Sequence, residues 1–281
     1  MASRAEQKAK ARAERIAYEQ KLAEEARRKQ RLARLAGVVI AAAAVIVAAI
    51  VISSSNSTTA AVKVGTKASN TTVKRVSALL AGIPESGDNI LGKSSAPIQI
   101  TEFGDLECSA CDYFALPTTL NTSAGVAGSG LENQLISTYV KTGQASLEYR
   151  SFETASGGAQ NPAIWTPQQA GALAAGLQGK AWYYIELFYN EQLAEDSNYN
   201  QAYLDNIAKQ IPGLNYSKWL SDINNPNLAA QVTSDGNAAT SAGYRNTPTI
   251  VIKGPKGQAP AISGVPSSWS QIQTAIKQVG G

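Results

Sequence analysis

The chain has 281 residues, with 25 Lys and Arg against 21 Asp and Glu, two cysteines and no histidine. Without an imidazole, a Ser-His-Asp triad, a Cys-His protease pair and a His-ligated metal are all excluded. The net charge of +4 is uneven, because residues 1–34 hold 11 basic and 5 acidic side chains while the remainder holds 14 and 16. The basic excess therefore belongs to a tail, which argues against a nucleic-acid-binding domain.

Residues 1–34 are dominated by Ala, Glu, Lys, Arg and Gln. These are strong helix formers with too few apolar partners to bury, so a solvated, partly helical cytoplasmic arm is expected. Residues 35–52, LAGVVIAAAAVIVAAIVI, carry no charge. As a helix this run would be about 27 Å long, close to the thickness of a bilayer core. A cleaved signal peptide would need an unusually long charged leader, so the segment reads as a single uncleaved transmembrane anchor. Arg27, Arg28, Lys29, Arg31 and Arg34 crowd one flank and SSSNSTTA forms the other. The positive-inside rule then puts the N-terminus in the cytoplasm and everything after Ile52 outside, where disulfides persist. Residues 53–72, rich in Ser, Thr, Asn and Ala, read as a flexible tether.

From residue 73 to 281 the chain reads as one globular domain, long enough for a buried core. PIQITEFG (97–104) alternates as a strand, with Ile98, Ile100 and Glu102 on one face. The cysteines follow in FGDLECSACDYF, and YFALP reads as helix up to Pro117. TTLNTSAGVAGSG (118–130) looks like an inserted small-residue loop. ASLEYRSF (145–152) is a second strand. A helical block spans about 154–242, where Gly179 separates PQQAGALAAGLQ from KAWYYIELFYNEQLA. TIVIKG (249–254) is a β-branched strand directly after Pro248, and AISG a shorter one. The last helix opens on a capping box, Ser268 to Gln271, with Trp269, Ile272, Ile276 and Val279 at helical spacing. Strands bracketing a helical block describe an α/β domain with inserted helices.

Cys108 and Cys111 are the only sulfur pair. A zinc site would need two further ligands from carboxylates or a second subunit. A structural disulfide closing so small a ring would constrain little chain. Redox chemistry at the pair is the reading the residues support best. A strand–turn–CxxC–helix order puts Cys108 at a helix N-terminus, where unpaired N–H groups and the dipole favour a thiolate and bring a thiol pKa from about 8.5 into a range of roughly 3.5–7.5. Cys111, one turn further in, is expected to be more buried and less ionised. Cys108 then exchanges with the substrate and Cys111 resolves the mixed disulfide.

The stretch LLAGIPESGDNILGKSSAPIQITEFGDLECSACDYFALP, together with GLQGKAWYYIELFYNEQ, NTPTIVIKG and ISGVPSSWSQIQTAI, resembles the DsbA-like branch of the thioredoxin fold over about residues 78–278. The resemblance implies a thioredoxin fold with a helical insertion and an extracytoplasmic thiol:disulfide oxidoreductase, in a family whose members are often membrane-tethered. It implies no cofactor beyond the redox disulfide Cys108–Cys111. Thr247 and Pro248 match the family's cis-proline loop, whose backbone pairs with bound peptide. Glu102 matches the buried acid beneath the active site, able to carry a proton to or from Cys111. Ser109 and Ala110 stand where strongly oxidising members carry Pro-His, which leaves the direction of electron flow open. Glu107 would oppose the Cys108 thiolate if its side chain pointed inward. The leading expectation is an oxidase of reduced, unfolded extracytoplasmic proteins, reoxidised by a quinone-linked membrane partner. A reductase or isomerase, or a non-catalytic peptide-binding module, are the alternatives.

Overall fold

The computed structural model describes residues 67–87, 89–116, 129–154, 162–192 and 199–280. The basic arm, the segment read as an anchor at 35–52, the tether up to residue 66, Pro117 and residues 118–128 of the small-residue insert lie outside the described residues. Among the described residues no helix is long and apolar enough to cross a membrane.

Helix α1 (Lys67–Leu80) begins inside the stretch read as tether. Val76 and Leu80 are buried, and Val73 packs against the core. That apolar stripe docks on helix α5 (Ala181–Gln192). Docking extends the helix through polar residues that composition alone assigns to a linker.

Among the described residues seven strands form one sheet: β1 (Glu85–Ser86), β2 (Ile90–Leu91), β3 (Ile98–Gly104), β4 (Ala145–Ser151), β5 (Thr249–Gly254), β6 (Gly257–Gln258) and β7 (Ile262–Ser263). The order is β1-β2-β4-β3-β5-β6, with β7 also on β5. β3 and β4 run parallel, Ile98 opposite Ala145 through Gly104 opposite Ser151. Their connection carries helix α2 (Ser109–Ala115) and helix α3 (Leu131–Leu135), which continues into a π-helical turn, Ile136–Val140. β5 is antiparallel to β3, placing Ile250 opposite Glu102 and Ile252 opposite Ile100.

Because side chains alternate along a strand, register decides what each face buries. One face presents Ile98, Ile100 and Glu102 of β3, Leu147 and Tyr149 of β4, and Ile250 and Ile252 of β5, all buried. Phe114, Leu135, Ile136 and Val140 are buried with them, as are Ile272 and Ile276 of helix α9 (Trp269–Gln278). The opposite face is covered only in part. Phe103, Phe152, Val251 and Ala239 form a small second cluster there, and beside it Gln99, Thr101, Glu148, Arg150 and Lys253 line an open trough of about 580 Å³.

Between β4 and β5 run α4 (Pro162–Gly176), α5, α6 (Gln201–Gln210), α7 (Tyr216–Asp222) and α8 (Pro226–Ser241). Helix α4 starts at Pro162, within the block read as helical, and carries Pro167 inside it. Asn200, Asn215 and Asn225 cap α6, α7 and α8, accepting from the N–H groups of Tyr203, Lys218 and Asn227. Trp182 and Trp219 are fully buried and donate to the carbonyls of Asn89 (2.8 Å) and Gly171 (2.9 Å). The first of these bonds ties the helical insertion to the β1–β2 hairpin. At α9 the capping box is displaced by one residue: Gln271 Oε1 accepts from the Ser267 N–H at 2.8 Å, while Ser268 Oγ pairs with Ser270 Oγ.

Candidate active site

Strand β3 ends at Gly104, and Asp105, Leu106 and Glu107 turn the chain into Cys108. Asp105 is buried and holds this turn from three sides. Its carboxylate accepts from the N–H of Glu107 at 3.0 Å, the N–H of Thr154 at 2.9 Å and the indole N–H of Trp165 at 3.1 Å, and its carbonyl accepts from the Cys108 N–H at 2.9 Å. Trp165 belongs to α4, so one side chain fixes the CxxC turn to both the segment that follows β4 and the helical insertion.

Cys108 is the N-cap residue of α2 and Cys111 lies in its first turn. Both are free thiols, with Cys108 8% exposed and Cys111 fully buried. The Cys108 thiol is lowered from 9.0 to about 6. The main cause is the hydrogen bond from the Cys111 thiol; burial opposes it, and Thr247 and the N–H groups of Cys111 and Ala110 add to it. Cys111 is pushed well above 9.0 by burial, by its bond to Cys108 and by the nearby charge of Glu102. One sulfur is thus held as thiolate and the other as thiol, as a pair in which each state supports the other.

Thr247 and Pro248 face this pair across a cis peptide bond. The Cys108 sulfur lies 3.6 Å from the Thr247 carbonyl oxygen, and the Thr247 hydroxyl pairs with that of Thr154. The loop is held from behind by β7, whose following residue Gly264 donates to the Pro248 carbonyl at 2.8 Å. Between the cysteines, Ser109 is exposed and Ala110 half-buried. Glu107 turns its carboxylate toward the insertion, where it accepts from the buried Gln168 amide.

Glu102 is fully buried on the core face of β3, and burial raises it from 4.5 to about 7. It does not stand alone. Glu132 of α3 and Glu186 of α5 are also fully buried. Glu132 is pushed well above its ordinary value by burial and by Glu102, and Glu186 is pushed to about 8 by burial and by Glu102. Gly104 is what lets the group converge. A methyl built there would meet Tyr149 Cε2 at 2.6 Å, Glu102 Oε1 at 3.0 Å and the Tyr189 hydroxyl at 3.1 Å. A fourth carboxyl, Asp112, is 3% exposed on α2 and is held well above 3.8 by burial and by the charge at Cys108.

Sequence reading singled out Glu102 but not Asp105, Asp112, Glu132 or Glu186. For Glu186 a signal exists: it is the one charge in the apolar run from Trp182 to Tyr189. Glu132 gives none, since an acid in a first helical turn beside Asn133 and Gln134 reads as solvent-exposed. Among the described residues no group of three or more Cys, Asp or Glu has the arrangement of a metal site.

A family profile described as Thioredoxin matches residues 85–278. The probable disulfide bond formation protein D of Bacillus anthracis is 23% identical over 174 residues, covering 58% of this chain and 69% of that protein. In structure, alpha-DsbA1 of Wolbachia pipientis superposes with a TM-score of 0.51 and 17% identity, over 70% of this chain and 92% of that one. Oxidised BdbD of Bacillus subtilis superposes with a TM-score of 0.50 and 16% identity, over 70% and 97%. The profile takes in every strand of the sheet, the CxxC turn and the loop that faces it, and on that match the chain belongs to the thioredoxin family.

Proposed function

We propose that this thiol:disulfide oxidoreductase is tethered to the cell membrane by residues 35–52, faces the outside, and introduces disulfides into reduced or unfolded extracytoplasmic proteins. The observation that carries the chemistry is the asymmetry of the two sulfurs. Cys108 is the slightly exposed sulfur with the lowered pKa, and Cys111 is the fully buried one with the raised pKa.

In the disulfide form a client thiolate attacks Cys108, and the Cys108–Cys111 bond breaks. Cys111 leaves as a thiolate and takes a proton from the acid beneath it, Glu102. A second client thiolate then attacks the client sulfur of the mixed disulfide. Cys108 departs as a thiolate, which its hydrogen bonds make a good leaving group. The client loses two electrons, and the CxxC gains them. Extended client backbone would lie against Thr247 and Pro248. A quinone-linked membrane partner returns the pair to the disulfide.

Thiol trapping with a mass tag in cells tests this reading. Oxidase function requires Cys108 and Cys111 to be mostly disulfide at steady state, and Cys111→Ser to accumulate mixed disulfides through Cys108. A mostly reduced pair would favour a reductase or isomerase. That second reading has one support in the sequence: Ala110 gives the dipeptide no protonatable group.

A further inference from the structure

Three glutamates meet in the core from three different elements: Glu102 from β3, Glu132 from α3 and Glu186 from α5, each with no exposed surface. Glu102 and Glu132 are within hydrogen-bonding reach of each other, and Glu186 is close enough for its charge to act on both. Among the described residues no N–H or hydroxyl donates to any of the four carboxyl oxygens of Glu102 and Glu132. A buried carboxyl oxygen needs a donor. The donors this pair has within the cluster are acid protons, so Glu102 and Glu132 share protons in place of being neutralised by a cation. On the inner side Glu102 lies by Cys111. On the outer side Asn190 Nδ2 reaches Glu186 Oε2 at 3.4 Å, and Oδ1 of the same amide accepts from half-buried Arg75 of α1.

We propose that Glu132 and Glu186 extend Glu102 into a proton relay, running from Cys111 through Glu102, Glu132 and Glu186 to the Asn190–Arg75 rim between α1 and α5. The relay rests on the exchange chemistry proposed above and adds its proton path. When the CxxC disulfide opens, Cys111 leaves as thiolate and takes the Glu102 proton, leaving a carboxylate. Glu132 then protonates Glu102, Glu186 protonates Glu132, and water at the rim restores Glu186. When the disulfide re-forms, each transfer runs in reverse. A proton can then enter and leave while client peptide covers Cys108, since the path opens on another side of the core. Glu132 and Glu186 act through Glu102 and touch no reacting sulfur.

The groups around this path are Cys108, Cys111, Tyr149 and Tyr189 on the inner side and Arg75 and Glu191 on the outer. Burial holds both tyrosines well above 10, so they stay neutral and contribute only hydroxyl dipoles near neutral pH. Arg75 feels both Glu186 and Glu191, and it marks where charge on the relay first meets a cation.

The test compares the purified full chain with Glu132→Gln and Glu186→Gln, each keeping shape while removing a transferable proton. The first readout is the single-turnover rate of disulfide opening by a small dithiol across pH. The second is the reduced-minus-oxidised infrared difference spectrum in the carboxyl region. Expected is a slowing of about 10-fold or more near neutral pH in each variant, a flattened pH profile, and partial recovery in Glu132→Asp. Each Gln variant should also delete its own carboxyl band while Tm is kept or raised. Wild-type rates and pH profiles in both variants, or an infrared change from Glu102 alone, would overturn the relay. If the wild type performed no exchange on protein clients, the proposed function would fall, and the infrared bands recorded with the small dithiol would still decide the relay.

Discussion

The Cys111 thiol is the largest single support of the Cys108 thiolate, and Cys111→Ala removes it alone. A hydrogen bond to a charged group contributes about 1.5–3 kcal/mol. At 1.36 kcal/mol per pKa unit, that is about 1–2 units. Cys108 should therefore rise from about 6 in the wild type to roughly 7–8, and no higher, because Thr247 and the backbone N–H groups remain. At pH 7 its thiolate fraction should drop from about nine-tenths to between about a half and a tenth. Cys111→Ser, whose hydroxyl can still donate, should fall between the two. The assay is the ultraviolet absorbance of the thiolate titrated with pH, paired with the rate of alkylation of Cys108. With one sulfur left in Cys111→Ala, the curve has a single origin. A Cys108 that still titrates near 6 in Cys111→Ala would show that the helix turn and Thr247 suffice, and that the two sulfurs are not a coupled pair.

The packing and the titrating groups set three further outcomes. A chain begun at residue 67 should be more stable than one begun at residue 75, by about 1–3 kcal/mol in urea unfolding, because the shorter one loses Val73 and half of α1; equal stability would mean that α1 docks through Val76 and Leu80 alone. Gly104→Ala should cost about 1–3 kcal/mol by driving a methyl into Tyr149 and Glu102, seen as a lower Tm, and an unchanged Tm would show slack where the structure has none. Burial raises Glu102, Glu132, Glu186 and Asp112, so the stability they contribute is full below about pH 4.5 for the glutamates and 3.8 for Asp112, and is lost as pH climbs through about 7 for Glu102 and about 8 for Glu186. Cys108 has the opposite sign: lowered from 9.0 to about 6, its contribution is present above pH 9 and lost as pH falls through 6. Thermal melts of the disulfide form should fall from pH 5 to 8, and those of the dithiol form should fall less; parallel curves for the two forms would contradict the lowered Cys108.

The three central strands were legible because each carries its own local signal. β3 alternates apolar and polar residues, β4 does so more weakly, and β5 is β-branched and enters directly after Pro248. The cysteine pair was legible for a different reason: with no histidine and no other cysteine, few chemistries remain for it. Helix α1 was not legible over 67–72. Its polar residues are compatible with either a tether or a helix, and what decides is the docking of Val73, Val76 and Leu80 on α5 far along the chain. The capping box at Ser268 shows the limit of a local motif. The residue types are present, but Gln271 bonds to Ser267, one residue from the position the motif specifies.

The carboxyls divide along the same line. An acid on a helix is ordinarily read as part of the wet face, and that reading holds while the helix has one. Helix α5 has little of one between Trp182 and Tyr189: Tyr183 is half-buried, and Trp182, Tyr184, Ile185, Leu187, Phe188 and Tyr189 are all fully buried. A carboxyl in such a helix has little solvent side to turn to, so burial of Glu186 follows from the pattern of its neighbours. Glu132 and Asp112 sit in helices whose neighbouring residues include polar ones, and nothing local separates them from surface acids. They are buried by what folds over them: α3 returning onto the core face of β3, and α2 packing under the helical insertion. Glu102 lies between these cases. Alternation puts it on the core face with Ile98 and Ile100, but its role depends on what stands opposite, and that is Glu132 and Glu186. A buried acid beneath one sulfur could be read from a single strand. The relay needs three elements that meet only in the folded chain, which is why its proton path is a property of the tertiary structure and should respond to Glu132→Gln and Glu186→Gln without any change at the CxxC itself.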